Sequence, residues 1–286
     1  LISQLDTIVS LPSVSSAIPE IDTSNREVIE FLANSFESLG FSCEIVPCNS
    51  NINKVNLIAT LGSGPGGLVL AGHTDTVPFD DKLWTYNPFK VTESDGKIYG
   101  LGVTDMKGFF PIILESIKPL LSENFKEPLI VLATADEETS MQGARTIAEL
   151  GRPRARAAII GEPTGLKPVK AHKGMMMDSI HLKGKSGHSS DPTLGNNALD
   201  GMHKVITELM LYRSELKEKY SSDLFSVPYP TLNLGCIHGG DNPNRICGEC
   251  ELKFDIRLTP GMNINSVRAE VRKRLTKITE PLNLTY

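Results

Sequence analysis

Apolar positions along the first half of the chain recur with two different periods, one helical and one strand-like. Residues 25–39 place Val28, Phe31, Leu32, Phe36 and Leu39 at helical spacing, and Gly40 stops the pattern. Three short runs are apolar throughout: Leu68-Val69-Leu70-Ala71, Leu129-Ile130-Val131-Leu132 and Ala157-Ala158-Ile159-Ile160. Runs of this kind predict strands buried on both faces of a mostly parallel sheet. Helical patterns over residues 106–121 and 140–150 separate them, so the first half reads as an α/β layer structure. Asp95-Gly96, between Val91 and Ile98-Tyr99, predicts a hairpin turn on an antiparallel edge. No internal repeat or low-complexity segment interrupts the series.

After Gly174 the pattern changes. It predicts a strand over 176–182, a helix over 197–212, strands over 231–237 and 250–258, a helix over 265–278, and the start of a last strand over 282–286. That order, βαββαβ, is ferredoxin-like and predicts a second domain. The expected boundaries are 1–174 and 175–286.

Composition narrows the choice of function. With 286 residues, 40% hydrophobic and 22% charged, the chain is globular and long enough for two ordinary domains. A formal net charge of -5, with no Lys/Arg-rich run, argues against a nucleic-acid partner. No apolar run approaches a bilayer span, and no signal-peptide pattern opens the chain. The five cysteines are Cys43, Cys48, Cys236, Cys247 and Cys250, a sparse, odd set that predicts free thiols in a reducing cytoplasm. Cys247 and Cys250 form one C-x-x-C pair. No further ligands follow at zinc spacing, so they read as two thiols on a strand.

The apolar strands all run into potential metal ligands. Residues 68–71 lead to Gly72-His73-Thr74-Asp75, residues 129–133 to Asp136-Glu137-Glu138, and residues 157–160 to Gly161-Glu162-Pro163. Open α/β sheets bind ligands beyond the carboxyl ends of their strands, so three strands would deliver one His and several carboxylates to one rim. A Gly-flanked loop, residues 100–108, adds Asp105 just before a helix. Each motif alone has an ordinary reading: a His-x-Asp surface pair, or acids at a solvated helix start. Together, one His among carboxylates suits borderline divalent ions, and the surplus of carboxylates suits a bridged pair of them.

Five motifs resemble those of the M20 metallopeptidase and deacylase family: Gly-His-Thr-Asp-Thr-Val-Pro (72–78), Gly-Leu-Gly-Val-Thr-Asp-Met-Lys-Gly (100–108), Ala-Asp-Glu-Glu (135–138), Gly-Glu-Pro-Thr (161–164) and Ser-Gly-His-Ser-Ser (186–190). They occur in the family's order, and the resemblance spans essentially the whole chain. It implies a zinc-aminopeptidase-like catalytic domain, a mixed, mostly parallel sheet flanked by helices, with an inserted ferredoxin-like lid and dimerisation domain. It implies two divalent ions, zinc or cobalt, and hydrolysis of a small acylated amino acid by a homodimer. His73 and Glu162 would bind one ion, Glu138 the other, and Asp105 would bridge them. Asp75 would orient His73, and Glu137 would be the general base. The peptide after Asp105 is typically cis in the family. His188 would reach the partner's site and stabilise the oxyanion, with Asn244 and Arg257 binding the substrate carboxylate. Residue by residue, the bland alternatives for His188 and Arg257 are a surface His in a Gly/Ser loop and a surface ion pair.

Family members continue beyond the point matching Tyr286, in a segment that finishes the catalytic sheet and carries a second histidine ligand. None of the six histidines here (His73, His172, His181, His188, His203 and His238) occupies that position, so the ligand is expected beyond residue 286. A chain ending there is expected to be unstable. Two rival readings follow: a metallo-exopeptidase or desuccinylase of the same family, and a non-catalytic dimerisation or binding fragment. Metal content discriminates the last from an enzyme.

Overall fold

The structure is a computed structural model and describes residues 1–49, 51–282 and 284–285. The chain divides into two compact units, Leu1–Pro168 and Val169–Tyr286.

In the first unit the elements are α1 (Ile2–Ser10), α2 (Arg26–Glu37), β1 (Ser42–Pro47), β2 (Val55–Leu61), β3 (Leu68–His73), β4 (Thr92–Ser94), β5 (Lys97–Tyr99), α3 (Phe109–Ile117), β6 (Leu129–Thr134), α4 (Gln142–Leu150) and β7 (Ala157–Ile160). Five strands form one sheet in the order β1-β2-β6-β3-β7. β3 pairs parallel with β6 and β7, while β2 pairs antiparallel with β1 and β6. Four strands therefore run one way and β2 opposes them, the mixed, mostly parallel sheet expected from the uniform apolar runs; β7, however, expected to be buried on both faces, is an edge strand exposed along its whole length. Helices cover both faces. Ile8, Leu32, Phe36 and Leu114 of α1, α2 and α3 pack with Leu57 and Val131 on one side. Ile147 of α4 meets Ile58, Val69 and Ile130 on the other.

Two local expectations shift. The Asp95-Gly96 turn is there, with φ of 51° and 70°, but β4 and β5 form a separate two-stranded sheet and are not an edge of the main one. The helix expected from residue 106 begins at Phe109, because residues 106–108 belong to the preceding loop, where Gly108 N–H donates to Gly102 O at 3.2 Å.

The second unit contains β8 (Gly174–Lys183), α5 (Ala198–Lys219), β9 (Thr231–Gly239), β10 (Glu249–Leu258) and α6 (Ile264–Thr279). Its antiparallel sheet has the order β8-β10-β9. The final strand expected over 282–286 lies partly outside the described residues; Thr285 makes a single bridge to Lys183. β10 alternates strictly, with Cys250, Leu252, Phe254, Ile256 and Leu258 buried under α5 and α6. Its other face carries Glu249, Glu251, Lys253, Asp255 and Arg257. Arg274 of α6 ties the two helices, bonding Glu208 and Glu215 of α5 and stacking on the Tyr212 ring at 4.5 Å. All five cysteines are free, and among the described residues no helix is long and apolar enough to cross a membrane.

Candidate metal centre

β3 ends at His73, and the segment after it is wholly interior: His73, Thr74 and Asp75 are at most 2% exposed. Burial there requires that every polar atom be provided for, and most are. Asn25 donates to Thr74 Oγ1 at 2.7 Å, and Ser13 Oγ donates to Thr74 O at 2.7 Å. Val14 forms a parallel bridge to Thr76. The chain entry is thus stitched beneath the end of β3.

His73 is held by Asp75, through the backbone. Its Nδ1 lies 2.9 Å from Asp75 O, while the carboxylate Oδ1 is 3.7 Å away. The expected side-chain bond is therefore replaced by a main-chain one. The carboxylate turns elsewhere: Oδ2 accepts from Glu138 N–H at 3.0 Å, and Oδ1 is buried without a hydrogen-bond partner among the described residues. A carbonyl only accepts, so Nδ1 carries the proton and Nε2 is the nitrogen that faces the centre.

Nε2 lies 3.1 Å from Asp105 Oδ1, 3.8 Å from Glu162 Oε1 and 3.9 Å from Glu137 Oε2. Two groups have ligand atoms within 4.8 Å of one another: His73, Asp105 and Glu162, and His73, Glu137 and Glu138. The loops after β3, β6 and β7 and the loop before α3 thus bring together all four expected metal ligands, the expected base and the expected orienting residue. The Asp105–Met106 peptide is cis.

The electrostatics fit a cation. Burial pushes the Glu138 carboxyl up to about 7, with Asp105, Glu137 and Asp75 adding to the rise against the opposing pull of His73. Burial raises Glu162 in the same way, and the same three neighbours add to it. Burial disfavours the charged imidazole of His73, but Asp75, Glu137, Glu162 and Asp105 outweigh it and raise its pKa. Carboxylates so crowded repel one another, and a neutral imidazole would aim its lone pair at Asp105. A divalent ion among these oxygens and one nitrogen relieves both, and the donor set is the borderline type.

Close packing fixes Glu162. A Cβ on Gly161 would overlap the Phe109 ring at the start of α3. Gly161→Ala is therefore expected to displace Glu162 and lower kcat/KM by about 10²-fold, the usual cost of a misplacement near 1 Å. Far-UV circular dichroism should stay unchanged while zinc affinity falls. Wild-type metal affinity and activity in this variant would remove the packing argument.

Two residues that lie within the motifs take supporting roles the sequence did not predict. Lys107 is 1% exposed and donates to Leu11 O at 2.6 Å and Ile8 O at 3.3 Å, fastening the Asp105 loop to the end of α1. Burial lowers its pKa to about 7, with Asp75 opposing. Asp136 holds φ at 61° directly before Glu137. Its carboxylate accepts from Ser15 and Thr139 at 2.7 Å each and from Ser140. The Glu137-Glu138 pair is thereby pinned from both sides, by Asp136 and by Asp75.

The remaining candidates lie in the second unit. His188 Nδ1 accepts from Ser190 N–H at 3.2 Å, so in the neutral ring Nε2 carries the proton, and the residue is exposed. Ser189 N–H donates to Asn244 O at 3.0 Å, and His188 bridges Arg245, so the His188 and Asn244 loops are neighbours. Arg257 is on β10, its Nε donating to Asp255 at 3.0 Å.

Comparison with known proteins agrees with this fold. An M20 family metallo-carboxypeptidase from Sulfolobus solfataricus superposes with a TM-score of 0.77 at 20% identity, over 96% of this chain and 75% of that one. A dipeptidase from Saccharomyces cerevisiae gives 0.72 at 18%, over 99% and 74%. Human carnosine dipeptidase 1 gives 0.66 at 18%, over 99% and 76%. The model for peptidase family M28 matches residues 56–220, and that for the M20 peptidase dimerisation domain matches residues 170–283. The M28 model spans more than half of the chain, so the chain belongs to peptidase family M28, and it carries a peptidase dimerisation domain of the M20 type over residues 170–283.

Proposed function

We propose that the chain removes the acetyl group from N2-acetyl-L-ornithine, giving L-ornithine and acetate, as a cytoplasmic homodimer in arginine biosynthesis. The convergence of His73, Asp105, Glu137, Glu138 and Glu162 on one rim carries the hydrolytic part of this reading. The choice of substrate rests on four longer stretches that resemble bacterial acetylornithine deacetylase: residues 71–81, 133–141, 170–174 and 227–235, the last continuing to Asn244-Arg245-Ile246-Cys247.

In this reading His73 and Glu162 would hold one divalent ion and Glu138 another, with Asp105 available to both, and zinc or cobalt would be the suitable metals. Such ions supply Lewis-acid polarisation of the amide carbonyl and make water acidic near neutral pH. The chain's own groups do the rest. Glu137 takes the proton of the attacking water and passes it to the departing amine nitrogen. Asp75 and Asp136 keep the imidazole and the Glu137-Glu138 pair in register. His188 of a second copy donates from Nε2 to the carbonyl oxygen as charge builds there. Asn244 and the guanidinium fork of Arg257 receive the substrate carboxylate.

The test is a side-by-side assay of the zinc- and cobalt-loaded protein on N2-acetyl-L-ornithine, succinyl-diaminopimelate and dipeptides. We expect kcat/KM to be at least about tenfold higher for acetylornithine, the scale on which one or two binding contacts discriminate. A preference for succinyl-diaminopimelate or for dipeptides would overturn the substrate assignment. Metal-loaded protein inert on all three would favour the binding-fragment reading.

A further inference from the structure

β2 brings a buried cation to the support of the Glu137-Glu138 pair, and the proposed hydrolysis gives that cation no role. Lys54 stands directly before β2 and is 3% exposed. Lysine is almost never buried to that degree unless it is paired. Its Nζ donates to Asp22 Oδ1 at 2.7 Å and lies 4.0 Å from Asp136 Oδ1. Two residues on, Asn56 Oδ1 accepts from Ala135 N–H at 3.1 Å. The start of β2 therefore meets the chain at residues 135 and 136 with two side chains, immediately before the expected base and ligand.

The two carboxylates that Lys54 faces do different things. Asp22 also accepts from Ser16 N–H at 3.0 Å, so its bond to Lys54 fastens the loop that follows α1. Asp136 takes the hydroxyls of Ser15 and Thr139 on the oxygen that faces Lys54, and its φ of 61° sets how the chain enters Glu137. A non-glycine residue persists at such an angle only where its surroundings hold it there. Hydroxyls supply dipoles but no charge; among the described residues Lys54 is the cation that ion-pairs with Asp136. An ammonium has three donor hydrogens and can serve both carboxylates. We infer that Lys54 is a positioning residue: through Asp136 it holds Glu137 and Glu138 in the orientation that metal binding and proton transfer need. The inference rests on the reading of this rim as a metal centre, and it fixes a sign. A cation acting by its charge alone opposes a divalent ion nearby, so its removal would tighten metal binding. A cation acting through Asp136 does the reverse, because without it the Glu137-Glu138 pair loosens and metal binding weakens.

Calorimetric titration of the full chain with Co2+ tests this, the signal of the centre being the heat that His73→Ala lacks. Lys54→Met keeps the length of the stem and removes the charge. It should weaken cobalt binding by about 10- to 100-fold, the usual cost of losing a group that orients a metal ligand. On whichever of the test amides the wild type hydrolyses fastest, kcat should fall by a similar factor while KM is little changed. Asp22→Asn loses the loop bond but leaves Lys54 to Asp136, so cobalt affinity and kcat should stay close to wild type. If Lys54→Met does not fold, the double variant Asp22→Asn/Lys54→Met, in which no Asp22 charge is left unpaired, takes its place with the same expected losses. Unchanged or tighter cobalt binding in a folded variant without the Lys54 charge overturns the inference, as does an equal loss in Asp22→Asn. A wild-type chain that binds no cobalt overturns the metal-centre reading and the inference with it. A chain that binds cobalt but hydrolyses none of the amides overturns the hydrolytic reading alone, and the cobalt comparison still decides the role of Lys54.

Discussion

Replacing Glu137 with Gln is expected to lower kcat by at least about 10²-fold while metal content stays near that of the wild type. The amide has the shape of the carboxylate but cannot take up a proton, and general-base catalysis contributes on this scale. The geometry makes the measurement informative, because Glu137 also belongs to a ligand-like group with His73 and Glu138. Metal content by elemental analysis separates the two roles. Reduced turnover with both ions retained identifies the base. Loss of an ion in Glu137→Gln would make Glu137 a ligand, and near-normal turnover would exclude it from the chemistry.

Removing the imidazole should do more. His73→Ala is expected to cost about 10³-fold or more in kcat/KM, together with loss of bound metal after dialysis. His73 is common to both ligand groups and, among the described residues, is the imidazole of each. Metal polarisation of a carbonyl is worth several kcal/mol, which converts to a factor of this order. His73 is 2% exposed, so the substitution also leaves a cavity, and thermal unfolding should be followed alongside. Full retention of two tightly held ions in a folded His73→Ala protein would show that the cluster is not the metal centre.

The parts of the fold legible in the sequence are those with an unbroken pattern. β3, β6 and β7 read as strands from their apolar runs and β10 from strict alternation, but in β7 the run did not mean burial, since this edge strand is exposed throughout. β1 and β2 gave no such signal. β1 is an edge strand with mixed polarity, SCEIVP, and β2 is interrupted by Asn56, a polar residue buried for a hydrogen-bonding reason. α1 buries only Leu5, Ile8 and Val9 and has no side-chain cap. α5 runs on to Lys219, beyond the Tyr212 expected: Leu216 continues the buried series of Val205, Leu209 and Tyr212, but the mostly charged residues around it mask the pattern. At the candidate site, the residues facing the centre were legible as motifs on strand ends. The supports were not. The bond from His73 Nδ1 goes to a main-chain oxygen, Lys107 acts by donating to two carbonyls of an element over ninety residues earlier, and the conformation of Asp136 is a backbone property. None of these leaves a spacing to read.

The supports beneath β3 also bear on how the molecule folds. Ser13 reaches Thr74 across 61 residues of chain, Glu138 reaches Asp75 across 63, and Ser15 reaches Asp136 and Thr139 across 121 and 124. Contacts at such separations are made only after the intervening chain has closed, which costs loop entropy before any bond repays it. Helices α2 and α4 can form from local sequence, but the arrangement around His73 cannot. On dilution from denaturant, the helical signal should therefore return before the capacity to hold metal, and added metal should draw the last step forward by binding only the finished rim.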